Sequence, residues 1–281
     1  MFEVFFLIAL GLIWIVFASV QDLKTHEVAN WLSFSLIFFA LGFRFFYSLF
    51  SDAGFGFFYQ GLIGLGIFFI LGNAFYYGKI FAGGDAKLMI ALGAVLPFSK
   101  DFFYNLKIFA VFLFIFLFAG GVYGLIWSIV LAKRNFSNFS GEFLRIFSKN
   151  KNLAYSLMIF ALILMTAGFL ESFLFYFGVL FFLMPYFYIY AKAVDEACMV
   201  KRIKTCDLRE GDWLYENLNV GRKILKSKWE GLSDEEIKKI RKKYRFVRIR
   251  QGIPFVPVFL ISFLILIYFY LQNFIIFKVF F

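Results

Sequence analysis

Long, unbroken apolar runs dominate this chain and set what it can fold into. Eight stand out, at roughly 2–20, 31–50, 57–78, 86–98, 104–132, 153–170, 172–191 and 254–277. A bilayer core of about 30 Å takes about 20 apolar residues of helix to cross, at 1.5 Å per residue. A helix satisfies its own backbone N–H and C=O groups, as that environment demands. The expected fold is therefore an all-α polytopic membrane protein. It has six to eight transmembrane helices and a small cytoplasmic α or α+β insert before the last one. The chain is 62% hydrophobic, where a soluble domain sits nearer about 45–50%. The first run carries Glu3, has no basic stretch ahead of it and shows no Ala-x-Ala site. It reads as a span rather than a secretory signal. Glu171 divides the sixth run from the seventh.

The Lys and Arg residues give an orientation, because they gather in cytoplasmic loops. With the N-terminus outside, only Arg44, Lys100, Lys107 and Lys278 of the 29 basic residues fall on the outer side. Arg44 and Glu3 are expected to snorkel to the outer interface. The four domains expected are a catalytic transmembrane core over 1–132, a basic loop with additional helices over 133–191, a basic cytoplasmic insert over 192–252, and a last helix over 253–281.

The insert holds 17 basic and 10 acidic residues. Ser233 and Glu236 are spaced as a capping box, so a helix is expected to start there and run through Lys238–Lys243. That basic run suits solvent or anionic lipid headgroups. No aromatic-rich basic motif favours nucleic acid. Cys198 and Cys206 match no zinc spacing and read as free thiols. His26 is the only histidine, which excludes His-dependent triads and multi-His metal centres.

Two carboxylates remain. Asp22 closes the first run, and Asp85 opens the fourth within Phe81-Ala82-Gly83-Gly84-Asp85-Ala86-Lys87. A carboxylate at a bilayer boundary is costly unless paired or solvated, which makes it a functional-site candidate. The order of spans puts both on the same side. Two carboxylates held close do not easily both ionise, so the pair offers one base and one acid. One takes a proton from water and the other protonates a scissile carbonyl, with no metal and no cofactor. Gly83 and Gly84 would let an extended substrate approach. Lys87 would hold an anionic group or orient the loop. Plainer roles compete: Asp22 as a cap for the helix near Asn30 or a partner of Lys24, and Asp85 as the N-cap of the fourth helix.

Three stretches resemble the archaeal preflagellin and type IV prepilin peptidases, a group of GxGD membrane aspartyl proteases. They are Val20–Leu32, with Asp22-Leu23 and Ala29-Asn30-Trp31-Leu32; Gly83-Gly84-Asp85-Ala86-Lys87-Leu88; and the insert, ending in Gln251-Gly252-Ile253-Pro254-Phe255-Val256-Pro257. Ala82 stands where the motif's first glycine usually sits, and Ala29 replaces the usual proline. The resemblance implies cleavage of short basic leaders from flagellin- or pilin-like precursors at the cytoplasmic face. It carries catalytic roles to Asp22 and Asp85, and motif positions to Gly83, Gly84 and Lys87. It implies no cofactor and no metal. Expected partners are such precursors and membrane lipids. The alternative class is a transporter using Asp22 and Asp85 as an ion-coupling pair.

Overall fold

The structure is a computed structural model. It describes residues 2–51, 54–220 and 223–272. Lys278 and the end of the last apolar run lie outside the described residues. The protein is an all-α polytopic membrane protein with a small α+β insert. Its elements are α1 (Phe2–Thr25), α2 (Asn30–Phe50), α3 (Gly56–Tyr77), α4 (Gly83–Val95), α5 (Phe102–Arg134), α6 (Phe136–Ala167), α7 (Ser172–Cys198), β1 (Val200–Lys204), β2 (Trp213–Leu214), β3 (Leu218–Val220), β4 (Lys223–Leu225), α8 (Asp234–Arg241), β5 (Phe246–Arg250) and α9 (Val256–Leu271). Among the described residues, α1, α2, α3, α5, α6 and α7 are long and apolar enough to cross a membrane, and α9 is a shorter apolar helix.

Two compact units form. The first takes residues 1–124 and 253–281, and the second takes 125–252. In the first, α4 is the central element. Leu88, Met89, Ala91, Leu92, Ala94 and Val95 are all buried, so apolar residues surround this helix instead of lining one stripe. It packs closely on α3 because Gly64 and Gly93 bring the two backbones together. A Cβ on Gly64 would come within 2.3 Å of the Gly93 carbonyl oxygen. Without a hydrophobic drive between helices in lipid, such small-residue contacts are how spans gain packing. α1 meets α9 in the same way, with Gly11 against the Phe263 ring. Trp14 Nε1 ties α1 to α2 by donating to Ser35 Oγ at 2.9 Å. Phe116 fills the middle against Phe259, ring centroids 4.6 Å apart.

In the second unit α6 and α7 form a hairpin. Gly178 lets α7 approach Met165 and the Ala161 carbonyl. The basic loop expected at the start of the 133–191 stretch is a correction: α6 already begins at Phe136 and runs to Ala167. Phe139, Phe143, Ile146 and Phe147 recur at helical spacing and pack against Ile189 and Ala193 of α7. Likewise α7 continues past residue 192 to Cys198. The insert carries an antiparallel sheet in the order β1-β5-β2 and a β3-β4 hairpin. Leu208, Leu214, Ile237, Ile240, Val247 and Ile249 make its own small core. Ser233 caps α8 in a full capping box with Glu236. Of the basic run, Arg241 spans the carbonyls of Thr205, Cys206 and Leu208, so it is structural. Arg250 pairs with Asp195 at 3.1 Å and Glu196 at 3.5 Å, and Tyr215 donates to Glu196 at 2.6 Å.

Candidate active site

Asp22 lies one turn before the end of α1, and the chain leaves that helix at His26 in a left-handed conformation, φ 56°. Residues 26–29 then cross over the start of α4 before α2 begins at Asn30. Gly84 permits this crossing: a Cβ there would stand 3.3 Å from Val28 Cβ and 3.5 Å from Val28 N. Gly83 is different. Its nearest neighbour would be the Tyr76 ring at 3.9 Å, so packing within the protein does not demand glycine there. One of the two glycines is used by the protein's own backbone; the other leaves an open approach.

The two substituted motif positions fit without strain. Ala82 has φ −70° and ψ 163°, an extended conformation that any residue adopts. Ala29 has φ −63° and ψ 134°, the geometry a proline would fix. Its N–H also reaches Gln21 Oε1 at 3.4 Å, a contact that proline would forbid. Lys87 orients the loop: its Nζ donates to Asn30 Oδ1 at 2.7 Å and so fastens α4 to the first residue of α2.

Asp85 is not the N-cap of α4. Ala82 holds that position and Asp85 is the third helical residue. Its carboxylate turns back to the Ala82 backbone N–H, the reach an acidic residue makes from N3. Asp22 caps neither the start of α2 nor pairs with Lys24 in the described contacts. It is 5% exposed, and its Oδ2 accepts from the Val256 N–H at 2.9 Å. The Phe255 backbone donates to it as well. Asp22 therefore sits at the N-terminus of α9, where free N–H groups and the helix dipole favour an anion. Asp22 and Asp85 lie within electrostatic reach of each other. Two carboxylates from α1 and α4, each set at a helix N-terminus, converge on one end of the first unit.

Residues 9–129 match the type IV leader peptidase family. That stretch contains both aspartates, Asn30, both glycines and Lys87. The chain is 32% identical over 87 residues to the preflagellin peptidase of Methanocaldococcus jannaschii, covering 31% of this chain and 36% of that one. It is 32% identical over 88 residues to the preflagellin peptidase of Methanococcus maripaludis, covering 31% and 37%. The chain thus spans about a third of the length of the curated relatives it matches. No solved structure matches it.

The family region stops well short of residues 255 and 256, whose amides complete the setting of Asp22. Pro254 and Pro257 on either side of them are the sequence signal for a helix start. What the sequence does not carry is the 234-residue separation that this start bridges to reach Asp22.

Arg44 is the second correction. It does not snorkel to an interface but is fully buried. Its guanidinium donates to the carbonyls of Phe57, Ala94, Val95 and Pro97 and lies 4.4 Å from the Phe57 ring centroid. α4 ends after 13 residues, about 20 Å at 1.5 Å per residue, so its last carbonyls stop inside the bundle. Arg44 satisfies them.

Proposed function

We propose that this protein is a membrane-embedded aspartic endopeptidase. It removes short basic leader peptides from flagellin- or type IV pilin-like precursors at the cytoplasmic face. The observation that carries this reading is the convergence of Asp22 and Asp85 at one end of the helix bundle. The family match over residues 9–129 and the printed names of the two relatives support it. The skew of Lys and Arg toward the loops on the aspartate side supports the cytoplasmic placement.

In this mechanism one carboxylate accepts a proton from water as the oxygen attacks the scissile carbonyl carbon. The other carboxyl gives its proton to the carbonyl oxygen. The tetrahedral diol collapses by breaking the C–N bond. The proton taken from water passes to the leaving amine, and the diol's own proton returns to the second carboxylate. The open side of Gly83 admits the extended junction of the precursor, and the precursor's own apolar helix lies in the bilayer beside the enzyme. Lys87 and Gly84 keep the loop and α4 in register so that the two carboxylates face the same bond.

The deciding experiment is cleavage of a precursor in membranes by the wild type, Asp22→Asn and Asp85→Asn. Loss of cleavage in both single variants, at normal expression, is expected. Near-normal cleavage by either one would overturn the dyad.

A further inference from the structure

Each aspartate depends on the start of a helix, and one aromatic contact ties those two helix starts together. Val256 opens α9 and its N–H donates to Asp22 Oδ2 at 2.9 Å. Phe255 is the residue just before it. Gly83 opens α4 and Asp85 lies in that helix's first turn. Phe81 stands two residues before Gly83. The Phe255 and Phe81 rings meet with centroids 6.1 Å apart, inside the range where aromatic pairs attract. Phe81 is buried and is held in turn by Phe75 at 4.8 Å and Phe116 at 5.7 Å. α5 completes the seat. Phe116 lies 5.8 Å from the Phe255 ring, and Gly120, four residues on, shares its face of the helix. A Cβ on Gly120 would stand 2.9 Å from the tip of the Phe255 ring. Gly121, the next residue, would meet nothing within 4 Å. The Phe255 ring thus sits in a slot walled by α5 and by the approach to α4.

We infer that Phe255 is a positioning residue for the aspartate pair, its ring bracing the start of α9 against the approach to α4. A shift of that ring moves the Val256 amide, and with it the Asp22 carboxylate, relative to the turn that carries Asp85. The contact sets the spacing between the two carboxylates and leaves the chemistry of each alone. Base and acid must reach one water and one scissile carbonyl together, and small misplacements of reacting groups are costly in rate. A phenylalanine ring suits this position. It is large and wholly apolar, so it fixes a helix start without burying a further polar group beside the pair.

This inference rests on the proposed peptidase reading, and the test separates the two. Phe255→Leu keeps an apolar side chain and removes the ring. Assayed in the full-length protein in membranes on a tagged precursor with a short basic leader, it is expected to lower kcat about tenfold, with KM within about twofold. Phe81→Leu removes the other half of the contact, and the double variant should be no more than about threefold slower than the slower single one. Gly120→Ala crowds the ring and should slow cleavage about fivefold, whereas Gly121→Ala, the same change into open space, should stay within about twofold. Rates are normalised to folded protein from its thermal unfolding, so a variant that merely folds less well does not count as slow. If Phe255→Leu does not fold, the glycine pair decides. A kcat within about twofold of wild type for Phe255→Leu, a loss carried mainly by KM, full additivity with Phe81→Leu, or equal rates for the two glycine variants overturns the role of Phe255. Asp22→Asn and Asp85→Asn run alongside. Their inactivity with an unchanged Phe255→Leu removes only this inference, and their continued activity removes the peptidase reading beneath it.

Discussion

The two ends of α4 each hold a buried charge, and the protein treats them in opposite ways. At the far end Arg44 meets four backbone carbonyls and an aromatic face. Four of its donors are met by backbone carbonyls, so the charge is matched by dipoles. At the near end Asp22 meets the α9 amides, but it also lies within electrostatic reach of Asp85. Backbone dipoles quiet one charge as they quiet the other, yet the second carboxylate leaves a repulsion that the fold does not remove. Both ends place a charge where a helix terminus can answer it. Only one adds a like charge, and that is the end with an open glycine. A buried charge fully matched by the backbone is architecture. A buried charge matched and then opposed is the arrangement that the proposed proton transfer calls for.

The comparison is broken most forcefully at the aspartates. Asp22→Asn and Asp85→Asn keep shape and lose the proton chemistry. Each is expected to slow cleavage about a thousandfold or more, on the order of 4 kcal/mol in barrier, measured as initial rate on a membrane-borne precursor. Helix packing should survive, since asparagine still accepts from an amide. Arg44→Met should do the reverse. It leaves the carbonyls of Ala94, Val95 and Pro97 without donors, at a cost of about 3 kcal/mol or more in stability. Thermal unfolding in detergent would read this loss. The cleavage rate per folded molecule should stay within about threefold. A stable but inactive Arg44→Met would mean that the two ends are not separable.

The spans were legible because apolar runs of helical length have few other uses. Asp22 and Asp85 stood out as candidates because charge is rare at such positions and because the order of spans puts both on one side. Arg44 was misread for a physical reason. A lone arginine near the end of an apolar run looks like a snorkelling side chain until one knows that α4 stops after 13 residues with its carbonyls buried. The first half of α6 was misread because Lys149, Lys151 and several Ser and Asn residues dilute its hydropathy. The recurrence of Phe139, Phe143 and Phe147 was the signal that outweighed them. The strands of the insert are two to five residues long and mix charge with apolar residues, so neither period nor length announces them. The hold of α9 on Asp22 depends on a contact between distant parts of the chain, which no local pattern encodes.

A smaller perturbation tests whether the aspartate end owes its geometry to the loop that carries it. Lys87→Met removes the 2.7 Å bond to Asn30 and is expected to slow cleavage about fivefold, near 1 kcal/mol. Asn30→Ala should cost about the same. The double variant should cost little more than either alone, because both remove one interaction. Full additivity would show that Lys87 acts on something other than Asn30.

The smallest effect comes from a third carboxylate at a helix N-terminus. Glu236 occupies the same position in α8 that Asp85 occupies in α4. It accepts from the Ser233 backbone N–H at 3.1 Å and is bridged to Lys228 at 3.2 Å. Its neighbours are a donor and a cation, with no opposing carboxylate in the described contacts, and the backbone hydrogen bond from Ser233 leads the effects that hold its carboxyl below the ordinary value of 4.5. A depressed folded value contributes stability above the unfolded value that is lost as pH falls through the folded one. Protection of the α8 amides against hydrogen exchange should therefore weaken as pH drops below about 4.5 and hold steady above it. Ser233→Ala should remove about 1 kcal/mol of that protection and leave cleavage untouched. If instead Ser233→Ala slows cleavage, the insert's helix reaches the chemistry, and position in a helix would matter more than the sign of the neighbour in deciding which carboxylate works.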